Sequence, residues 1–267
     1  MGRLIELIRY PLKSGQGTPL DGAELGRRGL AGDRRWMVVN PNGDFMTGRK
    51  HPAIIGLKAQ PLSGGRIRLE GRDGSHHIAA PALGQPCRDV VVWGTQTRGQ
   101  RHEPSTNAWL TKQLGTPCEL VFMPDTVERP VGRATKGSFD IVSYADGFPL
   151  LLTSQSSLDD LNERLAIPIE MRRFRPNLVI EGLPPFTELQ WHRIRMGEVE
   201  FESGGPCVRC TFTTRDPITG ERRTDGEPLK TLSSYQRTED GVVFGVNFIP
   251  RSLGRLALGD EVEIISV

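Results

Sequence analysis

Lysine is scarce in this chain: of 34 basic residues only six are lysine, leaving 28 arginines. Arginine offers a rigid planar fork suited to phosphate and carboxylate, although codon bias toward a GC-rich genome produces the same excess. A dominant charge is also missing. The formal net charge is +2, too small to argue for a nucleic-acid partner. No apolar run approaches the length of a membrane helix. Residues 1–6 lack the apolar core of a signal peptide, and Glu6 stands where a myristoylation signal needs Ser or Thr. Four cysteines, Cys87, Cys118, Cys207 and Cys210, give no dense disulfide framework. The chain is therefore expected to be cytoplasmic, with no membrane and no nucleic acid among its partners. Its 267 residues suit one large domain or two modest ones.

What is present reads as mostly β with attached helices. Residues 3–10 alternate loosely and stop at Pro11, which cannot donate to a ladder. Trp36 to Val39 and Phe45 to Thr47 flank an Asn-Gly hairpin cue at Asn42-Gly43, and Ile67 and Leu69 alternate ahead of Asp73-Gly74. Val90 to Trp93 reads as an apolar strand. Ser105 or Thr106 can cap a helix carrying Trp109, Leu110 and Leu114. From Met123 to Gly137 the apolar period disappears, which marks a boundary between residues 1–122 and 123–267. Beyond it, Pro149 to Leu152 forms a strand, and Leu158, Leu161 and Leu165 follow at helical spacing with serines at the helix start. Asn177 to Ile180, a hairpin over 194–201 and a last strand over 259–265 complete a second β-rich unit.

The chemistry concentrates in Cys207-Val208-Arg209-Cys210. A structural zinc site needs a second close pair of ligands. The histidines His51, His76, His77, His102 and His192 form no H-x-x-x-H, and no second C-x-x-C exists. A redox dithiol belongs at a strand-to-helix turn, whereas Thr211-Phe212-Thr213-Thr214 reads as a strand from its β-branched and aromatic content. A buried structural pair stays possible. So does a single thiolate acting as ligand or nucleophile, favoured electrostatically by the neighbouring Arg209 and suited to a soft metal.

Six segments occur in order: Tyr10-Pro11-Leu12-Lys13-Ser14, Gly32-Asp33-Arg34-Arg35-Trp36, Phe174-Arg175-Pro176-Asn177, Pro206-Cys207-Val208-Arg209-Cys210, Thr213-Thr214-Arg215-Asp216-Pro217 and Glu227-Pro228-Leu229-Lys230-Thr231-Leu232. Together they resemble the MOSC proteins that carry an N-terminal MOSC β-barrel domain, the group containing the mitochondrial amidoxime-reducing component and its bacterial counterparts. The resemblance runs from Ile5 to Val262. It implies an N-terminal barrel-like domain over 1–122, a MOSC barrel over 123–267 and a cofactor cleft between them.

The resemblance further implies a molybdenum cofactor, a pyranopterin that holds the metal through its dithiolene while the protein adds one thiolate. That thiolate maps to Cys210, which is thereby both the metal ligand and the catalytic residue, and Cys207 falls on a non-ligand position. Lys13, Ser14, Arg34, Thr153, Ser154, Arg175, Asn177 and Arg209 match cofactor-binding positions. Cations and hydrogen-bond donors are what a phosphorylated pterin needs, and a helix start such as the one after Ser154 offers free amides to an anion. For Arg209 a salt bridge to Asp216 is the plainer alternative, and for Asn177 the satisfaction of a strand end. The implied activity is reduction of N-hydroxylated compounds (hydroxylamines, amidoximes, N-hydroxylated nucleobases) by oxygen-atom transfer to molybdenum. The alternative is a sulfur or cofactor carrier acting with a separate cysteine desulfurase. Phe244-Gly245-Val246-Asn247 departs from the family's Phe-Gly-Gln-Asn pattern at Val246. No pyridoxal phosphate domain and no iron–sulfur cluster motif is expected. Electrons are expected from a separate ferredoxin, cytochrome or flavin reductase, and the substrate is expected to be a small molecule.

Overall fold

The computed structural model describes residues 2–79, 82, 84–132 and 140–267. Seven strands close into a barrel. Around it run Leu150–Ser154, Leu178–Glu181, Gly2–Arg9, Glu261–Ser266, Arg193–Met196, Val199–Val208 and Gly241–Pro250, which pairs back to Leu150–Ser154. Neighbours are antiparallel except Leu150–Ser154 and Leu178–Glu181. A parallel pair needs a crossover, and the helix Gln155–Glu163 supplies it. Strand alternation sends Leu4, Leu150, Leu152, Leu178, Ile194 and Phe201 into one apolar interior. Closure leaves these strands no free edge along the ring.

The first strand is the topological surprise. It belongs by sequence to the N-terminal half, yet it pairs with Leu178–Glu181 on one side and Glu261–Ser266 on the other. Both ends of the chain therefore build the barrel. Of the remaining N-terminal strands, Gly22–Gly26 and Gly29–Leu30 join Gly254–Ala257 near the C-terminus, while Trp36–Val39, Glu119–Phe122, Thr95–Arg101 and Cys87–Val92 form a four-stranded sheet. Beside it lies a three-stranded sheet of Lys58–Pro61, Ile67–Gly71 and Gly74–Ile78. The helix Pro104–Leu114 sends Leu110 into a core with Trp36, Ile54, Leu69 and Leu120.

Three local expectations are corrected. Glu103 is the N-cap of the helix Pro104–Leu114, so Ser105 and Thr106 lie inside its first turn. The apolar strand ends at Val92, and Trp93 turns out of it with φ 51°. Thr211–Thr214 is a 3-10 turn, not a strand. There the threonine hydroxyls bond locally, Thr213 to the Cys210 carbonyl and Thr214 to the Thr211 carbonyl, at 3.1 and 2.8 Å. These local side-chain bonds outweigh the β propensity of threonine. The boundary segment is anchored as far as residue 132: Met123 and Val131 are buried, and Pro130 bridges to Ile141. Its residues 133–137 lie outside those described.

Candidate functional site

A cleft of about 340 Å³ opens beside the barrel, lined from both halves of the chain. Lys13, Ser14, Arg34 and Trp93 come from the first half, and Arg175, Asn177, Arg209 and Cys210 from the second. Thr153 and Ser154 do not line it, although Leu151 on the same strand does. Both hydroxyls are buried, and neither Thr153 Oγ1 nor Ser154 Oγ has a hydrogen-bond partner among the described residues. Five cations line the cleft (Lys13, Arg34, Arg49, Arg175 and Arg209) against a single carboxylate, Asp146.

Backbone strain marks the same place. Among the described residues, five non-glycine residues have positive φ, and four of them, Ser14, Arg34, Trp93 and Arg175, line the cleft. Such conformations are uncommon for L residues and persist only where surrounding contacts fix them. Those contacts are visible for Arg34. Its amide donates to the Tyr10 carbonyl at 2.7 Å, and its carbonyl accepts from the Tyr144 amide at 3.0 Å. Its guanidinium donates to Asp33 Oδ2 at 2.5 Å and to Asn177 Oδ1 at 2.8 Å.

Asn177 is saturated. Its Nδ2 donates to the Ile8 carbonyl at 3.0 Å and to Asp33 Oδ1 at 3.2 Å. Its Oδ1 accepts from the Leu151 amide as well as from Arg34. This side chain thus ties the first strand to two other barrel elements. Asp33, which sequence reasoning did not single out, is the buried anion of the network and also accepts from the Tyr10 amide at 2.8 Å. Burial pushes its carboxyl up and Arg34 opposes that push. The adjacent arginine in Gly32-Asp33-Arg34 was the available signal. The Tyr10 ring lies between the Arg34 and Arg175 guanidinium groups, at 4.4 and 4.3 Å. Burial, followed by repulsion from Arg34 among the charges around it, lowers Arg175 to about 10, which leaves it protonated near neutral pH.

Lys13 is buried, and its Nζ donates to the Tyr144 carbonyl at 2.7 Å and to Asp146 Oδ1 at 2.5 Å. Burial lowers its pKa and Asp146 counteracts. Asp146 was also missed, since a lone aspartate in a loop carries no pattern. The buried Arg129 fixes that loop by donating to the carbonyls of Ser143, Ala145 and Asp146.

The cysteine end is built differently. The strand Val199–Val208 shifts register twice against Gly241–Pro250, between Ser203 and Gly205 and again between Pro206 and Val208. Irregularities of this kind re-aim a strand end. Cys207 is half-buried and Cys210 is exposed, and both are free thiols. Arg209 Nη1 donates to Cys207 Sγ at 2.9 Å, and Nη2 donates to the Phe174 carbonyl at 2.6 Å. The sulfur that Arg209 touches is therefore that of Cys207. The expected alternative for Arg209 is corrected too: Asp216 pairs with Arg173, at 3.6 Å. Arg209 Nε is buried without a partner. Among the described residues, no three His, Cys, Asp or Glu side chains gather to hold a metal by themselves. No helix among them is long and apolar enough to cross a membrane.

These features belong to a recognised family. Residues 1–117 match the MOSC N-terminal beta barrel domain and residues 140–263 match the MOSC domain. Mitochondrial amidoxime-reducing component 1 of Danio rerio is 33% identical over 281 residues, covering 100% of this chain and 86% of that protein. The Homo sapiens protein of the same name is 31% identical, covering 99% and 83%. Molybdenum cofactor sulfurase of Oryza sativa subsp. japonica is 30% identical over 262 residues, covering 91% of this chain but only 32% of that longer protein. The chain belongs to the MOSC family that carries an N-terminal MOSC β-barrel domain.

Proposed function

We propose that this protein is a reductase of N-hydroxylated compounds that works with a molybdenum–pyranopterin cofactor. One observation carries the reading: an exposed thiol, Cys210, stands two residues beyond the barrel strand Val199–Val208, in a cleft bearing five cations and one carboxylate. Full-length similarity to amidoxime-reducing components supports it. The residues suit such a group. Arg34, Arg175 and Arg209 would hold its phosphate and ring, and the unpartnered Arg209 Nε is a donor awaiting an acceptor. Ser14 would add a hydroxyl contact, whereas Thr153 and Ser154, buried behind the lining, would support Leu151 on the same strand. Lys13 and Asn177 would act mainly by position, because their polar groups are already engaged. Cys210 would supply the protein thiolate, a soft donor for a soft metal. When bound, the cofactor supplies a two-electron metal centre able to take the oxygen of an N–O bond. The small-molecule substrate would enter the open cleft, and a separate protein would deliver the electrons.

A carrier of sulfur or cofactor, acting with a separate cysteine desulfurase, is the second reading, favoured by the similarity to the rice sulfurase. Protein made in a cofactor-competent host should contain stoichiometric molybdenum and should reduce benzamidoxime with reduced methyl viologen. With NADH alone it should not. Bound molybdenum without reduction of any N-hydroxylated compound would replace this reading by the carrier.

A further inference from the structure

We propose that Trp93, Phe45 and Asp146 form the substrate-side wall of the cleft, taking a planar aromatic group stacked on the exposed indole and an N–H donor on Asp146. The inference rests on the reductase reading and extends it to recognition. Trp93 is 48% exposed, whereas the other three tryptophans are buried or half-buried. An exposed indole usually belongs to the solvated surface, yet this one is fixed. Its Nε1 donates to Asp146 Oδ1 at 2.9 Å, the Phe45 ring meets it edge-on at 4.8 Å, and the Arg49 guanidinium lies 4.6 Å from its centroid. Its backbone is held at φ 51°, a conformation that a bulky residue keeps only when its contacts impose it. A large aromatic surface held in one pose over a cleft is pre-organised for stacking.

Charge at this wall is close to balanced. The one carboxylate in the lining, Asp146, is paired with Lys13 at 2.5 Å, and the Arg49 guanidinium lies over Trp93. The cations that draw a phosphate are Arg34, Arg175 and Arg209, so the Asp146 end favours a neutral group. Asp146 Oδ1 accepts from both Lys13 and Trp93, while Oδ2 has no partner among the described residues. That leaves one carboxylate oxygen for the N–H of an amidine-like group whose ring rests on Trp93. Amidoximes attached to an aromatic ring carry both features, whereas small aliphatic amidoximes lack the ring.

The test compares benzamidoxime with acetamidoxime in the loaded enzyme and in its Trp93→Ala and Trp93→Phe variants. Trp93→Ala should raise KM for benzamidoxime about fivefold, keep kcat within about twofold and leave acetamidoxime within about twofold. Trp93→Phe should recover most of the benzamidoxime KM, which also guards against a folding defect in the alanine variant. Independently of turnover, benzamidoxime without a reductant should quench the exposed tryptophan fluorescence saturably in the wild type and not in Trp93→Phe. Quenching without reduction of either amidoxime would support this wall while removing the reductase reading. Reduction of both amidoximes with KM values indifferent to Trp93→Ala would overturn the wall and leave the reductase reading standing. Absence of both quenching and reduction would also overturn it.

Discussion

The two networks lining the cleft handle their polar atoms in opposite ways. Around Asp33, Arg34 and Asn177 the hydrogen bonds close on one another, and Asn177 has both its amide hydrogens and its carbonyl oxygen engaged. At the cysteine end and across the mouth, groups are left open: the Cys210 thiol, Arg209 Nε and Asp146 Oδ2. The closed network acts as scaffold, since a fully satisfied buried network rigidifies whatever it connects. The open one is where an incoming molecule finds partners. Polar residues that look alike in the sequence thus divide by whether their bonds are already made.

The sharpest way to break that comparison is at the open end. Cys210→Ser replaces a soft thiolate by a hard, weakly acidic hydroxyl, a poor donor to molybdenum. N-hydroxy reduction should fall by more than about 100-fold, beyond what the loss of an outer partner of a metal site costs. Folding should persist, because the exchange is nearly isosteric. Cys207→Ser should keep substantial activity even though Arg209 touches that sulfur. Molybdenum content and amidoxime turnover of both variants decide the matter. Equal losses in the two would mean that the cysteines work as a pair.

The closed network should respond in stability instead. Asp33 is buried, and its partner Arg34 is nearly so. Asp33→Ala leaves that guanidinium with no carboxylate and removes acceptors from the Tyr10 amide and from Asn177. Removing one member of a buried pair costs about 3–5 kcal/mol. Urea unfolding should record a loss in that range, and a smaller one for Asp146→Ala, because the buried Lys13 it leaves behind keeps the Tyr144 carbonyl and, unlike an arginine, can shed its proton. Similar losses would erase the distinction between scaffold and open wall.

Much of the scaffold was legible because period-2 alternation is a local signal. The strands near residues 3–10 and 67–71 follow from it, and those near 36–39 and 194–201 from the hairpin cues beside them. Barrel closure was not legible, since nothing in Leu4 or Leu7 announces that their partners are Leu178–Glu181 and Glu261–Ser266. Trp93 extended an apolar run and so read as strand; its left-handed turn depends on contacts from Asp146 and Phe45 made only in the folded chain. Thr211–Thr214 misled through propensity, which local hydroxyl bonds overrode. Motif resemblance named Lys13, Ser14, Arg34, Arg175, Asn177, Arg209 and Cys210, which line the cleft, together with Thr153 and Ser154, which do not, and it could not say which were engaged internally. It also passed over Asp33 and Asp146, the two carboxylates that organise the cations.

Those two carboxylates should separate by pH, the smallest of the expected effects. At Asp146 desolvation pushes the pKa up, but the Lys13 charge and the hydrogen bonds from Lys13 and Trp93 outweigh it and hold the group well below the usual carboxylate range. A depressed folded value contributes stability that is present above the unfolded pKa, about 3.9 for aspartate, and is lost as pH falls through the folded value. At Asp33 burial dominates and the folded value is raised. Its contribution is therefore full below the unfolded value and declines as pH climbs through the raised one. Urea midpoints from acid to neutral pH, for the wild type against Asp146→Asn and Asp33→Asn, measure both. The Asp146→Asn gap should stay level above about pH 4 and close below it. The stability of the wild type relative to Asp33→Asn should instead fall as pH rises from the same point. Parallel slopes would mean that the two carboxylates sit in equivalent surroundings, and the contrast between the closed and open networks would fail.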